Sequence, residues 1–328
     1  LGSSDTGYRW STTRKTGKDR RLLLMKPKLL LLTGLGWAAT NPLYRTLKRN
    51  VLYSGHCKEP ETLYWLYTRD KTPQFYEYQR SKKYEHLIAT KGAKFTDTLP
   101  ENLFSYDATI DDFVDYYTRL YDNPKRKSRP YVTDFSNHNA DISAEFISEI
   151  ASKLKDNFDV KVLMIVRNPV RRSYSITSAM SGMSGLWHNR DPKSRLKWQR
   201  RRQQFPDSIS YWKHLLSKDC ENTGRFSYVK VYRNWAAHFD MQPVIMEDLW
   251  GGNLEPLESF LECKLGSELH PNCYYPEMGT KAPRHPRLKD QWYSDMQDLS
   301  EEDLAYGKER LQWIYDDWYD EFKTRPWG

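Results

Sequence analysis

The sequence predicts an α/β fold: one domain with a central, mainly parallel sheet and helices on both of its faces. Three observations predict it. Apolar runs of strand length alternate with helical patterns along the chain, which is typical of a parallel sheet. The runs at residues 28–33 and 160–166 are apolar at nearly every position, as expected for strands buried on both faces. No segment with the composition of a linker divides residues 22–328.

The first strand-to-helix unit is the clearest of these patterns. Residues 28–33 read KLLLLT and are followed by Gly34 and Gly36, which favours a buried strand ending in a tight loop. Asn41 is a suitable N-cap for a helix that continues to about residue 50. A short second strand is predicted over residues 51–54.

The middle and the end of the chain continue the alternation. A helix over residues 109–121 begins with Thr109 and Asp112, which are spaced like a capping box. The other predicted strands are 131–135, 160–166 and 243–246, and the other predicted helices are 73–91, 143–157, 170–181, 208–218, 226–239, 254–265 and 300–322.

Composition limits the possible functions only broadly. The chain has 51 Lys and Arg against 43 Asp and Glu, a formal charge of +8 that favours anionic ligands. Residues 1–21 are polar and basic, and we interpret them as a disordered leader or a cloning remnant. No apolar run is long enough to span a bilayer, and no signal peptide is recognisable. The four cysteines do not have the spacing of a zinc site, and no metal is predicted.

The loop at residues 34–41 is the first candidate ligand site. Its sequence, GLGWAATN, joins the first strand to a helix N-terminus, where unpaired amides and the helix dipole favour an anion. It is not a Walker A motif, because no Lys followed by Ser or Thr comes after the second glycine. The alternative interpretation is an ordinary strand-to-helix turn.

The second candidate site follows the strand at residues 160–166. Arg167 ends that strand, a proline turn follows, and Ser175 lies about two turns into the next helix. A guanidinium and a hydroxyl in these places can bind the same phosphate group.

The ordered pair of motifs resembles the sulfotransferases that use 3′-phosphoadenosine 5′-phosphosulfate (PAPS). The strand with R-N-P-x-x-R and a later serine resembles their 3′-phosphate motif, and residues 34–41 resemble their 5′-phosphosulfate loop. The resemblance covers about residues 28–290. It implies a P-loop NTPase-like sulfotransferase fold over residues 22–328, with PAPS as co-substrate and PAP as product. The implied cofactor-binding residues are Gly36, Trp37, Ala38, Ala39, Thr40, Asn41, Arg167, Ser175, Lys281 and Arg284.

Further segments resemble the Golgi carbohydrate sulfotransferases, especially the heparan sulfate type. Lys58, Glu59 and Pro60 resemble the K-E-P segment that holds the catalytic glutamate of that group, and residues 247–249 match its E-D-L sequence. Lys281 and Arg284 resemble the cations of its cofactor-covering loop. Cys263 and Cys273 resemble the disulfide before that loop, although two free thiols are the alternative.

The resemblance implies in-line sulfuryl transfer without a metal. Glu59 is the candidate base for the acceptor proton, with Lys58 beside it, and His56 is the competing base. Trp37 stands where the family has a lysine on the leaving phosphate, so another cation should take over that role. Lys281, Arg284 and Arg45 are the possible substitutes. If none does, the chain is a PAP- or PAPS-binding module with little or no catalysis.

The acceptor is predicted less directly. The basic residues 193–202, with Trp187, Trp198 and Trp212 nearby, favour a saccharide acceptor bound by ion pairs and ring stacking. A small hydroxylated metabolite, a carrier-bound acyl chain and a peptide tyrosine remain open. A nucleotide kinase is disfavoured by the missing Walker A motif, and a nucleic-acid-binding protein by the lack of a recognition module. The composition fits a cytoplasmic microbial enzyme and the lumenal part of a Golgi enzyme equally well.

Overall fold

Five parallel strands form the centre of the fold. The computed structural model describes residues 26–36, 38, 40–55, 59–69, 103, 106–182, 200, 202–219, 227–265 and 299–327. The spatial order of the strands is β2-β3-β1-β4-β5, and all neighbouring strands are parallel. The parallel sheet predicted from the sequence is therefore confirmed. The strands are β1 Lys28–Gly34, β2 Leu52–Tyr53, β3 Tyr131–Asp134, β4 Asp159–Val166 and β5 Asp240–Ile245.

Helices connect the strands and continue after the last of them. In chain order they are α1 Thr40–Asn50, α2 Thr62–Thr68, α3 Ile110–Asp122, α4 Ala144–Asn157, α5 Pro169–Gly182, α6 Ser208–Asp219, α7 Tyr228–Ala236, α8 Met246–Trp250, α9 Glu255–Leu261, α10 Glu301–Arg310 and α11 Gln312–Phe322. Two 3-10 helices, Pro124–Arg126 and Asn137–Asp141, flank β3.

The central strand β1 is buried on both faces of the sheet. Leu29 and Leu31 lie in one hydrophobic cluster, whereas Leu30 and Leu32 lie in the other, and all four are fully buried. Because successive side chains of a strand point to opposite faces, each face receives alternate leucines. Burying one leucine contributes about 1.5–3 kcal/mol, which explains why nearly every position of this strand is apolar.

The two clusters show that helices cover both faces, as the sequence predicts. Leu43 and Leu47 of α1 pack into the cluster that contains Leu30. Val170 and Tyr174 of α5 pack into the cluster that contains Leu29. The helices that follow β1 and β4 therefore lie on opposite faces of the sheet.

Local signals at two helix N-termini act as expected, whereas the prediction of Asn41 as an N-cap is wrong, because α1 already begins at Thr40. The Thr109 hydroxyl accepts a hydrogen bond from the Asp112 amide, and the Asp112 carboxylate accepts one from the Thr109 amide, which completes the predicted capping box. The Ser143 hydroxyl accepts from the Phe146 amide at the start of α4. Both caps satisfy amides that a helix leaves without an internal partner.

The prediction of one helix over residues 300–322 is wrong. The chain forms α10 and α11 instead, because the backbone of the buried Leu311 leaves the helical region at φ −107 and ψ 13. Packing explains the break: a Cβ atom on Gly307 would lie 2.7 Å from Trp212, so α10 approaches the core more closely than a side chain would allow. Tertiary contact overrides the helical pattern here.

Other boundaries also differ from the sequence prediction, and the helix predicted over 226–239 ends at Ala236. The helix predicted over 254–265 ends at Leu261, because Glu262 takes a left-handed conformation at φ 53 and its carboxylate binds Lys28 and Lys161. Strand β5 begins at Asp240, three residues earlier than predicted. The predicted helix over residues 73–91 lies outside the described residues.

Candidate functional site

The two predicted ligand loops lie side by side at the carboxyl edge of the sheet. Gly34, the last residue of β1, is paired with Ile165 of β4. A Cβ atom on Gly34 would lie 3.1 Å from the Ile165 carbonyl oxygen, so the close approach of the two strands favours glycine here. Arg172 Nε donates a hydrogen bond to the Gly36 carbonyl oxygen at 3.1 Å. The junctions after β1 and β4 are therefore in direct contact.

Strand order makes this edge a favourable place for a ligand. The chain leaves β1 toward β2 on one side of the sheet, and it leaves β4 toward β5 on the other side. Adjacent strands whose connections diverge in this way open a crevice at their carboxyl ends, where ligands of parallel sheets bind. The strand order therefore favours a ligand site beside the two predicted phosphate loops.

At the first junction the backbone lies close to β4 at Gly34, whereas the space beside Gly36 is open. Among the described atoms, none lies within 4 Å of the position that a Cβ would take on Gly36. Ala38 and Thr40 are both buried, and α1 begins at Thr40, so the amides of its first turn face the crevice end of the sheet. Trp37, Ala39 and the side chain of Asn41 lie outside the described residues.

The second junction brings together the two side chains that the sequence analysis selected. Arg167 Nη1 donates a hydrogen bond to Ser175 Oγ at 3.0 Å. The arginine is 2% exposed, and its guanidinium carbon lies 5.4 Å from the centre of the Trp250 ring. The ring face favours the cation in this position.

Hydrogen bonds from distant elements hold the turn between β4 and α5. Tyr228 of α7 donates its hydroxyl to the Arg167 carbonyl oxygen at 2.6 Å. The Asn168 amide donates to Glu247 Oε1 at 3.0 Å, and the Arg171 amide donates to Asn168 Oδ1 at 3.2 Å. These three bonds restrain the backbone of the turn that carries Arg167.

Arg172 gives this edge a second buried positive charge. Its side chain is 5% exposed, and burial lowers the pKa of the guanidinium, while the neighbouring Tyr228 hydroxyl raises it and the charge of Arg167 lowers it further. An arginine remains protonated under such a shift. Two cations in a region of low dielectric constant produce a strong local potential that favours an anion.

The segment that carries the candidate base is attached to the end of β3. Glu59 is half-buried, and Asn137 Nδ2 lies 3.5 Å from its Oε1 atom, at the limit of a hydrogen bond. The Glu61 amide donates to Ser136 Oγ at 2.9 Å. Because β3 lies beside β1 in the sheet, Glu59 lies at the same carboxyl edge as the first junction. Lys58 and His56 lie outside the described residues.

A buried carboxylate that the sequence analysis missed supports this segment. Asp134 is fully buried at the end of β3 and accepts hydrogen bonds from Thr62 Oγ1 at 2.9 Å and from the Ser136 hydroxyl. A buried carboxylate is stable only with such donors. An acidic residue at the carboxyl end of a predicted strand was the available signal for it.

The structure describes only some of the other predicted site residues. Lys281, Arg284 and Cys273 lie outside the described residues. Arg45 is exposed on α1. Cys263 is half-buried, burial raises the pKa of its thiol, and it has no disulfide partner among the described residues. Its pairing with Cys273 stays a prediction.

The proposed stacking role of Trp212 is wrong. Trp212 is 0% exposed and packs edge-on against Tyr174 with ring centres 5.5 Å apart. Its Nε1 atom donates to Ser173 Oγ at 3.0 Å. The tryptophan therefore belongs to the core beneath α5, where no saccharide can reach it. Trp187 and Trp198 lie outside the described residues.

Two further observations concern metals and membranes. In the part of the chain that the structure describes, no three His, Cys, Asp or Glu side chains are arranged to hold a metal ion. Within the same residues, no helix is both long and apolar enough to cross a bilayer.

Comparison with other proteins does not assign a family. No protein-family model matches the chain, and no curated protein sequence matches it significantly. The chemistry of the site must therefore be argued from the residues themselves.

Proposed function

We propose that this chain transfers the sulfuryl group of PAPS to an acceptor hydroxyl or amine. The observation that carries the proposal is the contact between its two strand-to-helix junctions, in which Arg172 binds the Gly36 carbonyl oxygen. Two adjacent anion-binding junctions can hold opposite ends of one nucleotide that is phosphorylated on both its 3′ and its 5′ side.

The 3′-phosphate is assigned to Arg167 and Ser175. These side chains already contact each other, and the hydrogen bonds of Tyr228 and Glu247 hold the turn that carries Arg167. A phosphate oxygen beside them would accept from the guanidinium fork and from the serine hydroxyl together. Such a site is preorganised, so little entropy is lost when the ligand binds.

The 5′-phosphosulfate is assigned to the junction after β1. The open space beside Gly36 lets a phosphate approach the backbone, and the first amides of α1 can donate to its oxygens. Thr40 begins that helix and supplies a hydroxyl. The buried charge of Arg172 lies directly behind this loop.

The proposed reaction is a single in-line displacement. The acceptor oxygen or nitrogen forms a bond to sulfur while the bond between sulfur and the 5′-phosphate oxygen breaks. PAP leaves with that electron pair, and Glu59 takes the acceptor proton. The attachment of the Glu59 segment to Ser136 and Asn137, at the carboxyl edge of β3, supports this role.

A binding module without catalysis is the second candidate, and Trp37 is the observation that favours it. The tryptophan occupies the place of a lysine and carries no charge, so the leaving phosphate loses a cation there. In an active enzyme Lys281, Arg284, Arg45 or Arg172 must supply that charge. A saccharide remains our proposed acceptor, on the basic residues 193–202 rather than on Trp212.

Calorimetry with PAP tests the nucleotide site. The parent protein should bind PAP more tightly than adenosine 5′-monophosphate, which lacks the 3′-phosphate. Ser175→Ala should weaken PAP binding by about ten- to a hundredfold, because one hydrogen bond to a charged group contributes about 1.5–3 kcal/mol. Absence of heat with PAP for the folded parent protein would overturn the proposal.

A transfer assay separates the enzyme from the binding module. Labelled PAPS is incubated with each protein and with saccharide, phenol and peptide acceptors. The proteins are the parent, Glu59→Gln, Trp37→Lys and, as a control, Glu149→Gln, which changes an exposed side chain. Glu59→Gln should lose transfer while it keeps PAP affinity, and Glu149→Gln should match the parent. If the parent protein binds PAP but transfers sulfate to no acceptor, the chain is a binding module. If Trp37→Lys transfers faster than the parent, the native tryptophan slows the enzyme.

A further inference from the structure

The aromatic segment that ends the described chain returns to the turn between β4 and α5. Tyr315 of α11 donates its hydroxyl to Asn168 Oδ1 at 3.3 Å. Trp327 Nε1 donates to Glu247 Oε2 at 3.2 Å. Both contacts connect positions that are far apart in the sequence, and both end on groups that hold the Arg167 turn.

Glu247 links this segment to the turn through its two carboxylate oxygens. Oε1 accepts from the Asn168 amide at 3.0 Å, while Oε2 accepts from Trp327. Removing the indole donor frees one oxygen and lets the carboxylate rotate away from Asn168. The bond that fixes the turn then weakens, because a carboxylate held at both oxygens has fewer orientations than one held at a single oxygen.

Asn168 is held on its side chain as well as on its amide. Its Oδ1 atom accepts from the Arg171 amide at 3.2 Å, where it caps the start of α5, and from Tyr315. Burial raises the pKa of Tyr315, so its hydroxyl stays protonated and remains a donor at neutral pH. The hydroxyl therefore fixes the amide oxygen that caps the helix.

Ring packing extends the same support to Arg167. The Trp327 ring lies 5.1 Å from the Trp318 ring, 5.8 Å from the Tyr315 ring and 6.1 Å from the Tyr228 ring. Tyr228 in turn donates its hydroxyl to the Arg167 carbonyl oxygen. The aromatic cluster thus contacts the turn at both Arg167 and Asn168.

We propose that Tyr315 and Trp327 are positioning residues of the 3′-phosphate site, because they hold the turn that aims Arg167. The inference rests on the proposed function for the identity of the ligand, a nucleotide with a 3′-phosphate. Neither residue touches the ligand. By thermodynamic linkage, a ligand on Arg167 should in return stabilise the packing of α11 and residue 327 on the turn.

The test compares two matched double variants. Tyr315→Phe with Trp327→Phe removes both hydrogen-bond donors and leaves an aromatic ring at each position, with phenyl in place of the larger indole at residue 327. Trp313→Phe with Tyr319→Phe makes the same two types of change at two positions of α11, so it controls for the loss of ring size as well. Among the described residues the Trp313 indole nitrogen has no hydrogen-bond partner, and Tyr319 is 39% exposed. Both variants are titrated with PAP and with adenosine 5′-monophosphate.

We expect the first double variant to lose about tenfold in PAP affinity and less than about twofold in affinity for adenosine 5′-monophosphate. The control should bind both ligands like the parent. An equal loss for both ligands would indicate general damage to the fold, and parental PAP affinity would show that the two donors have no role. Either result overturns the inference while the parent protein still binds PAP.

A measurement without ligand keeps the inference separate from the proposed function. Amide hydrogen exchange of Asn168 should be faster in the first double variant than in the control, because its bond to Glu247 opens more often. Equal exchange at Asn168 in both variants would refute the positioning role even if the parent protein binds no PAP. A parent that binds no PAP, but shows the expected exchange difference, would refute only the assignment of the ligand.

Discussion

Arg172 Nε donates a hydrogen bond to the Gly36 carbonyl oxygen at 3.1 Å, and this bond joins the loop after β1 to the helix after β4. Gly36 and Arg172 are 136 residues apart in the chain, yet the segments that carry them meet at the carboxyl edge of the sheet. Because the donor is charged, the hydrogen bond restrains Gly36, which belongs to the loop that we assign to the 5′-phosphosulfate.

Replacing Arg172 should disturb both loops at once. Arg172→Lys keeps the charge but removes the Nε donor, so the carbonyl oxygen of the half-buried Gly36 loses its bond to a charged group, at a cost of about 1–3 kcal/mol. Urea unfolding measures this loss. Arg119→Lys, on an exposed arginine whose ion-pair distance to Asp115 is 3.9 Å, should change stability by less than about 0.5 kcal/mol. Equal stabilities of the two variants would contradict the structural role of the bond.

The two glycines of the first loop should respond differently to alanine. In Gly34→Ala the added methyl group would lie 3.1 Å from the Ile165 carbonyl oxygen, so we expect a loss of about 1–3 kcal/mol in unfolding free energy. Gly36→Ala meets open space and should leave stability unchanged within about 0.5 kcal/mol, but it should weaken PAP binding by narrowing the phosphate approach. If Gly36→Ala binds PAP as tightly as the parent protein does, the phosphate does not approach Gly36 and the ligand binds elsewhere.

Ser136→Ala tests the support of the candidate base. The change removes the acceptor of the Glu61 amide and one donor to the buried Asp134, so the segment that carries Glu59 should move. We expect kcat to fall at least about tenfold while PAP affinity stays at the parental value. The control Ser217→Ala removes an exposed hydroxyl that donates to the His214 carbonyl oxygen. An equal loss of kcat and PAP affinity would mean that Ser136 supports the whole fold.

Glu262 should make stability depend on pH at acid pH. Its carboxylate accepts hydrogen bonds from Lys161 and Lys28, and these bonds lower the pKa of Glu262 from 4.5 to about 2. Because the folded pKa is lower than the unfolded one, the stabilisation is fully present above pH 4.5 and is lost as the pH falls toward about 2. Since the glutamate side chain is 58% exposed, solvent screening keeps the effect small.

Urea unfolding between these pH values measures that contribution. Glu262→Gln should flatten the fall in stability, whereas the exposed Glu309→Gln should leave the curve of the parent protein unchanged. If Glu262→Gln follows the parental curve, the two lysine contacts do not contribute to the stability of the folded state.

Several parts of the fold could be predicted because their signals are local. The leucines of β1 show a strand buried on both faces, and the Thr109–Asp112 spacing shows a helix start. The contact between Arg167 and Ser175 could be predicted from the sequence, because Arg167 lies at the end of a strand and Ser175 lies eight residues later on the helix that follows. Trp212 could not be placed, since its spacing fits a surface stack as well as a core position.

Local sequence patterns were enough to predict the alternation of strands and helices and to select the two loops that we assign to phosphates. Periodicity and helix caps are properties of neighbouring residues, so they need no partner in space. Three contacts could be seen only in the folded chain: Arg172 reaches Gly36, Asp134 supports the Glu59 segment, and Trp327 returns to the turn after β4. Those contacts depend on the order of the strands and on close packing between distant segments, which no local pattern specifies.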